Sequence, residues 1–159
     1  MRRREFTAGM LLAAVPWSAR AQQQATRRRI AIFHPAIPTT LLTETGGGTA
    51  WRAFFAELRR LGYVEGENLI IERFSAEGHH ERYATLAREI VTSSPDLIVT
   101  GTNPVVITFK AATSTIPIVA FMLDPLKAGL VTNLAKPGGN LTGTLSMPGS
   151  RSGESAWRY

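Results

Sequence analysis

The chain contains no cysteine at all. This excludes disulfides, thiolate metal sites, a cysteine nucleophile and lipidation of an N-terminal cysteine. Histidine is scarce, at three residues in 159. Only His79-His80-Glu81 clusters them, and adjacent side chains diverge with no further histidine at helical spacing, so a solvated helix start is the better reading and no metal is expected. No segment offers the 18 consecutive apolar residues of a retained transmembrane helix. Also missing are a Ser/His/Asp order, paired carboxylates with acid/base spacing and a nucleotide loop. Gly46-Gly47-Gly48 lacks a following Lys-Ser/Thr pair and has Trp51 where a third dinucleotide glycine belongs, so it reads as a flexible loop. The expectation is therefore a non-enzyme without cofactor.

What remains is a globular composition, 44% apolar and 19% charged, of a length suited to one ordinary domain. The net charge of +6 sits mostly at the front. Residues 1–21 combine Arg2-Arg3-Arg4, an apolar stretch from Thr7 to Trp17 and the small-x-small site Ala19-Arg20-Ala21, the build of an export signal cleaved after Ala21. Arg3-Arg4-Glu5-Phe6 is similar to the core of twin-arginine signals. Cleavage leaves 14 basic and 11 acidic residues, a net charge of +3 that removes the main support for a nucleic-acid partner. The product is expected to be periplasmic and not membrane-spanning.

After a polar spacer, residues 22–28, strands and helices alternate. Strands are predicted at Arg29–His34, Asn68–Phe74, Leu97–Thr100, Ile118–Phe121 and Leu141–Leu145. Trp51, Phe54, Phe55, Leu58 and Leu61 mark one helical stripe closed by Gly62, and Tyr83, Leu86, Ala87, Ile90 and Val91 mark a second. Pro104–Thr113 reads as a third helix with proline in its first turn, and Asp124–Leu134 as a fourth with Asp124 as N-cap. The fold class is α/β: a Rossmann-like open parallel sheet of about five strands with helices on both faces.

Ligands of such sheets meet the carboxyl ends of the strands. There, Gly101-Thr102-Asn103-Pro104 offers a close backbone, polar side chains and a helix N-terminus suited to an anion; the alternative is an ordinary capped turn. His34 reads equally as a ligand contact or a strand cap, and Asp124 as an N-cap or a partner for a ligand amine. The candidate ligand-binding residues are His34, Gly101, Thr102, Asn103 and Asp124.

Leu61-Gly62-Tyr63-Val64-Glu65-Gly66, Thr115-Ile116-Pro117-Ile118-Val119 and Asp124-Pro125 through Pro137-Gly138-Gly139-Asn140-Leu141-Thr142-Gly143 belong to a stretch, about Arg29 to Ser146, that resembles the substrate-binding proteins of ABC transporters, in the family that includes tryptophan/tyrosine-type binding proteins. The resemblance implies a type I periplasmic binding fold whose two lobes close on a small, amino-acid-like ligand and dock on an ABC permease in the membrane. It places the ligand loops at His34 and the residues after it, at Gly101-Thr102-Asn103-Pro104 and at Asp124-Pro125. Residues 29–147 correspond to the first lobe. Residues 148–159 are short, polar and unlike the expected continuation, which reads as a product truncated before its second lobe and impaired in ligand binding. The same fold also serves as an extracytoplasmic ligand-sensing or interaction module, the alternative function.

Overall fold

The computed structural model describes residues 27–134 and 139–145; the export-signal and tail readings lie outside them. Strand β1 (Arg28–His34) leads through a short 3-10 turn (Thr39–Leu41) into helix α1 (Thr49–Arg60) and strand β2 (Leu69–Ser75). Helix α2 (Tyr83–Thr92), strand β3 (Leu97–Gly101), helix α3 (Asn103–Ala112), strand β4 (Ile118–Met122) and strand β5 (Leu141–Leu145) follow. The sheet order is β2-β1-β3-β4-β5 and every pairing is parallel. The expected fold class is therefore the observed one.

An interior parallel strand of such a sheet is buried on both faces, and β1 shows why its apolar run is continuous. Ala31 and Phe33 point into a core with Ala87 and Ile90 of α2, Val105, Val106 and Phe109 of α3, and Ile98, Ile118 and Ala120 of neighbouring strands. Ile30 and Ile32 point the other way, to Trp51 and Phe55 of α1 and to Leu69, Ile71 and Val99. Helices thus lie on both faces, α1 on one and α2 with α3 on the other. The cover is unequal: on the α1 side, Phe121 of β4 is 40% exposed.

Two strand starts differ by one residue from those expected, each for a hydrogen-bonding reason. Arg28, placed in the spacer by its charge, belongs to β1 because its N–H donates to the Asn68 carbonyl. Asn68 stays outside β2 because its side chain closes the preceding turn, Oδ1 accepting from the Val64 N–H at 2.8 Å and Nδ2 donating to the Gly62 carbonyl at 2.8 Å. Gly62 ends α1 with φ +84°, the left-handed conformation that spares it Cβ strain.

One expectation is corrected. The segment after Asp124 is one turn, not a helix to Leu134. The Asp124 carbonyl accepts from Ala128, Gly129 adopts φ +65°, and the chain then runs through buried Leu130 and Val131. The glycine reverses the backbone, and Lys110 Nζ takes the Leu130 carbonyl at 2.6 Å, so helical bonding cannot propagate. The glycine segment is a loop, as expected, and is tightly fitted at two positions: a Cβ on Gly47 would stand 2.6 Å from the Leu41 carbonyl oxygen, and the Gly46 N–H donates to Thr43 Oγ1 at 2.9 Å. Beneath it, Leu42 is fully buried, a core residue that the polar surroundings of the loop concealed.

Candidate functional site

Because all five strands are parallel, their carboxyl ends share one edge. From β1 the chain passes outward to β2, then returns across β1 to β3, so the order reverses between β1 and β3. At such a switch point neighbouring loops diverge and leave a crevice. His34 ends β1, Gly101 ends β3, and the Leu123–Asp124 segment follows β4 next door. The structure thus brings all five sequence-predicted residues to three adjacent loops of one edge.

His34 is half-buried, and its Nδ1 accepts from the backbone N–H groups of Ala36 at 3.0 Å and Ile37 at 2.7 Å. The ring meets Trp51 edge to face, 6.1 Å between centroids. Trp51 is core, as its helical spacing indicated; periodicity gave no sign that it also steadies His34. Burial holds the imidazole below its ordinary value of 6.5, so the neutral ring is the native form. In the unfolded chain His34 binds its proton near 6.5; in the fold it does so only at lower pH, with loss of the two Nδ1 bonds. Stability from this group is complete above that value and falls as pH drops through the folded one. Urea titrations should therefore show a weaker fold at about pH 5.5 than at about pH 7.5, and His34→Asn should flatten that difference. A decline that begins only in the carboxylate range would assign the effect to groups such as Glu65, whose pKa the Arg73 hydrogen bond lowers from 4.5.

Thr102 stands at φ +65°, ψ 136°, a region that a β-branched side chain rarely enters. Its N–H donates to the Phe121 carbonyl at 3.0 Å and its carbonyl accepts from the Val106 N–H at 3.1 Å, which hold it there. Its hydroxyl does not cap α3, so it is not spent on the helix. The first turn of α3 adds the Asn103 and Val105 amides, which have no intrahelical acceptor, while Pro104 has no N–H to leave unsatisfied. Gly101 has neither a positive φ nor a tight neighbour, the nearest contact of an added Cβ being the Phe121 carbonyl oxygen at 3.7 Å. Neither turn geometry nor sheet packing requires glycine there. Thr102→Gly should stabilise the fold by about 1 kcal/mol, relief of roughly 1–3 kcal/mol of strain outweighing the entropy that glycine adds to the unfolded chain. Thermal denaturation checks it; a lower Tm would mean that Thr102 is unstrained.

Asn103 and Asp124 have structural duties. The Asn103 carboxamide straddles the Leu123 backbone, Nδ2 donating to its carbonyl at 2.5 Å and Oδ1 accepting from its N–H at 3.1 Å. It ties the loop after β3 to the loop after β4. Asp124 Oδ1 accepts from the Lys127 N–H at 3.1 Å, the bond of an N-cap to its third residue, here on a single turn. Asp124 remains exposed, at φ +38°.

A separate cavity of about 390 Å³ lies between α1, β2 and the loop before α1, with Thr43, Phe55, Leu58 and Tyr63 among its walls. The charge of Arg73 within it is already matched, by Glu65 at 2.6 and 2.7 Å and the Leu42 carbonyl at 2.7 Å. His79 and His80 are exposed, with Nδ1 atoms 3.0 and 3.6 Å from Glu81 carboxylate oxygens. Among the described residues no group of three His, Cys, Asp or Glu side chains is arranged to hold a metal, and no helix is long and apolar enough to cross a membrane.

An open, all-parallel α/β lobe with polar loops and a helix N-terminus gathered at its switch point defines a class of ligand-binding module. The family follows from comparison: residues 47–148 match the model of the ABC transporter substrate binding protein family, and the chain belongs to that family. It is 35% identical over 96 residues to the tyrosine-binding protein of Clostridioides difficile (strain R20291), covering 60% of this chain and 28% of that one. Among solved structures, a conserved domain protein from Vibrio cholerae matches with a TM-score of 0.64 and 30% identity over 76% of this chain and 39% of its own. An ABC domain in complex with L-Trp from Streptococcus pneumonia matches with a TM-score of 0.63 and 26% identity, over 75% of this chain and 38% of its own. The chain thus spans between about a quarter and two fifths of the length of these relatives.

Proposed function

We propose that residues 29–147 form the first lobe of an extracytoplasmic solute-binding component of an ABC importer, and that its ligand is an amino acid or a similar small molecule. The observation that carries this reading is the convergence of His34, Gly101-Thr102-Asn103 and Asp124 on one edge at the switch point, with Thr102 held in a strained conformation there. Strain maintained in an exposed loop beside a helix N-terminus serves recognition rather than stability. The Thr102 hydroxyl and the first amides of α3 suit the ligand carboxylate, and Asp124 suits its ammonium group. Asn103 acts by fixing the β3 and β4 loops to each other.

The tyrosine-binding relative and the L-Trp complex support an aromatic amino acid as the first ligand to try. The lobe offers one wall of a cleft, and small-molecule sites bury roughly 70–90% of their ligand, so affinity on this wall alone is expected to be weak. The role is binding rather than catalysis, in the periplasm after cleavage behind Ala21, with delivery to a membrane permease.

Titrating the isotopically labelled chain with L-tryptophan and L-tyrosine is the test. Saturable chemical-shift changes at His34, Gly101, Thr102, Asn103 and Asp124 are expected. Changes confined to the α1–β2 cavity, or none with either amino acid, would refute the assignment of this edge. Sequencing the amino terminus of the exported product should begin at Gln22.

A further inference from the structure

The two ring nitrogens of His34 face different surroundings. Nδ1 accepts two backbone N–H groups, from Ala36 and Ile37. A nitrogen that accepts carries a lone pair, so the proton of the neutral ring sits on Nε2. Nε2, the other ring nitrogen, makes no hydrogen bond to any of the described residues. The edge-to-face contact with Trp51 and the two amides fix the plane of the ring before any ligand arrives, so little ordering is left to a bond that forms there.

We propose that His34 is a specificity-determining donor, locked by the Ala36 and Ile37 amides into the Nε2–H tautomer so that it recognises an acceptor oxygen and disfavours a cation at the carboxyl end of β1. A carboxylate, carbonyl or phenol oxygen can take this proton; an ammonium group has no lone pair to offer it. The inference rests on the reading above only in placing the ligand at this edge.

Two substitutions separate the nitrogens. His34→Asn keeps an acceptor oxygen near the position of Nδ1 and removes the donor at Nε2. His34→Gln places a donor NH₂ near the position of Nε2 and gives up the inner acceptor. In the wild-type chain at neutral pH, ring nitrogen-15 resonances should report the Nε2–H tautomer; the Nδ1–H form would overturn the proposal. Acetate should shift the Nε2 signal and methylammonium should not, and an Nε2 signal unmoved by acetate would also overturn it. With L-tryptophan or L-tyrosine as probe, His34→Asn should weaken binding roughly ten- to hundredfold, the loss of a hydrogen bond to a charged group. It should leave the Ala36 and Ile37 amides protected from exchange. His34→Gln should bind within about fivefold of the wild type while those amides lose protection. Equal affinity of the wild type and His34→Asn would refute the donor role. Failure of the wild type to bind either amino acid would instead remove the amino-acid reading, and the nitrogen spectrum with the acetate titration would still decide the tautomer and its preference.

Discussion

Replacing Phe33 by alanine is expected to cost about 3–5 kcal/mol, the range for removing a buried aromatic ring and leaving its cavity behind. Phe33 is wholly buried in β1, an interior strand of the sheet. Its ring stands edge to face against Tyr83 of α2, 5.8 Å between centroids, and against Phe109 of α3, at 5.5 Å. One side chain therefore joins β1 to both helices of that face, and the two aromatic pairs add roughly 0.5–1.5 kcal/mol each beyond area burial. A loss of this size is a large part of the roughly 5–15 kcal/mol that holds an ordinary domain folded. Urea denaturation followed by circular dichroism should show a midpoint far below that of the wild type. Phe54→Ala, at a half-buried ring on α1, should cost much less; equal losses would mean that the Phe33 face is not the principal core.

The second large effect is expected at the far edge of the sheet. Gly143 of β5 pairs with Ala120 of β4, and a Cβ on Gly143 would run into the Ala120 backbone, its carbonyl oxygen first. A flexible side chain could swing aside from such a clash, but a backbone carbonyl in a paired strand cannot. Gly143→Ala should therefore push β5 away from β4, at about 1–3 kcal/mol as for other overpacked sites. Amide exchange along the β4–β5 ladder should accelerate, while the β1–β2 and β1–β3 ladders stay protected. Uniform acceleration across all strands would show instead that β5 is needed for the whole sheet. Unchanged exchange would mean that β5 accommodates a methyl group at this position.

These two sites illustrate what local pattern conveys. Phe33 lies in the run Ile30-Ala31-Ile32-Phe33, whose unbroken apolar character fits a strand covered on both faces. The core position was legible; its two aromatic partners, 50 and 76 residues later in the chain, were not. Gly143 lies in a strand recognised from its neighbours, but the approach of the Ala120 backbone has no local signature. Of the site, the residue types at the strand ends were legible. Asn103 read as a donor and acceptor for a ligand, whereas its carboxamide is engaged with Leu123, twenty residues on. Asp124 read as the start of a long helix, because the tertiary hold of Lys110 on the Leu130 carbonyl cannot be seen from residues 124–134 alone.

By itself the sequence determined the five strands, three of the four expected helices and the alternation that makes their sheet parallel, because short apolar runs, burial with period 3.6 and the stops at glycine and proline are properties of neighbouring residues. Tertiary structure alone decided the strand order with its reversal between β1 and β3, the reduction of the fourth helix to a turn and the strain at Thr102. Each of these depends on groups that the fold brings together from distant positions, such as the Phe121 carbonyl at Thr102 and the Lys110 ammonium at the Leu130 carbonyl, as do the hold of Asn103 on the Leu123 backbone and the Trp51 ring beside His34. No run of adjacent residues encodes such contacts, since their partners meet only once the sheet has formed.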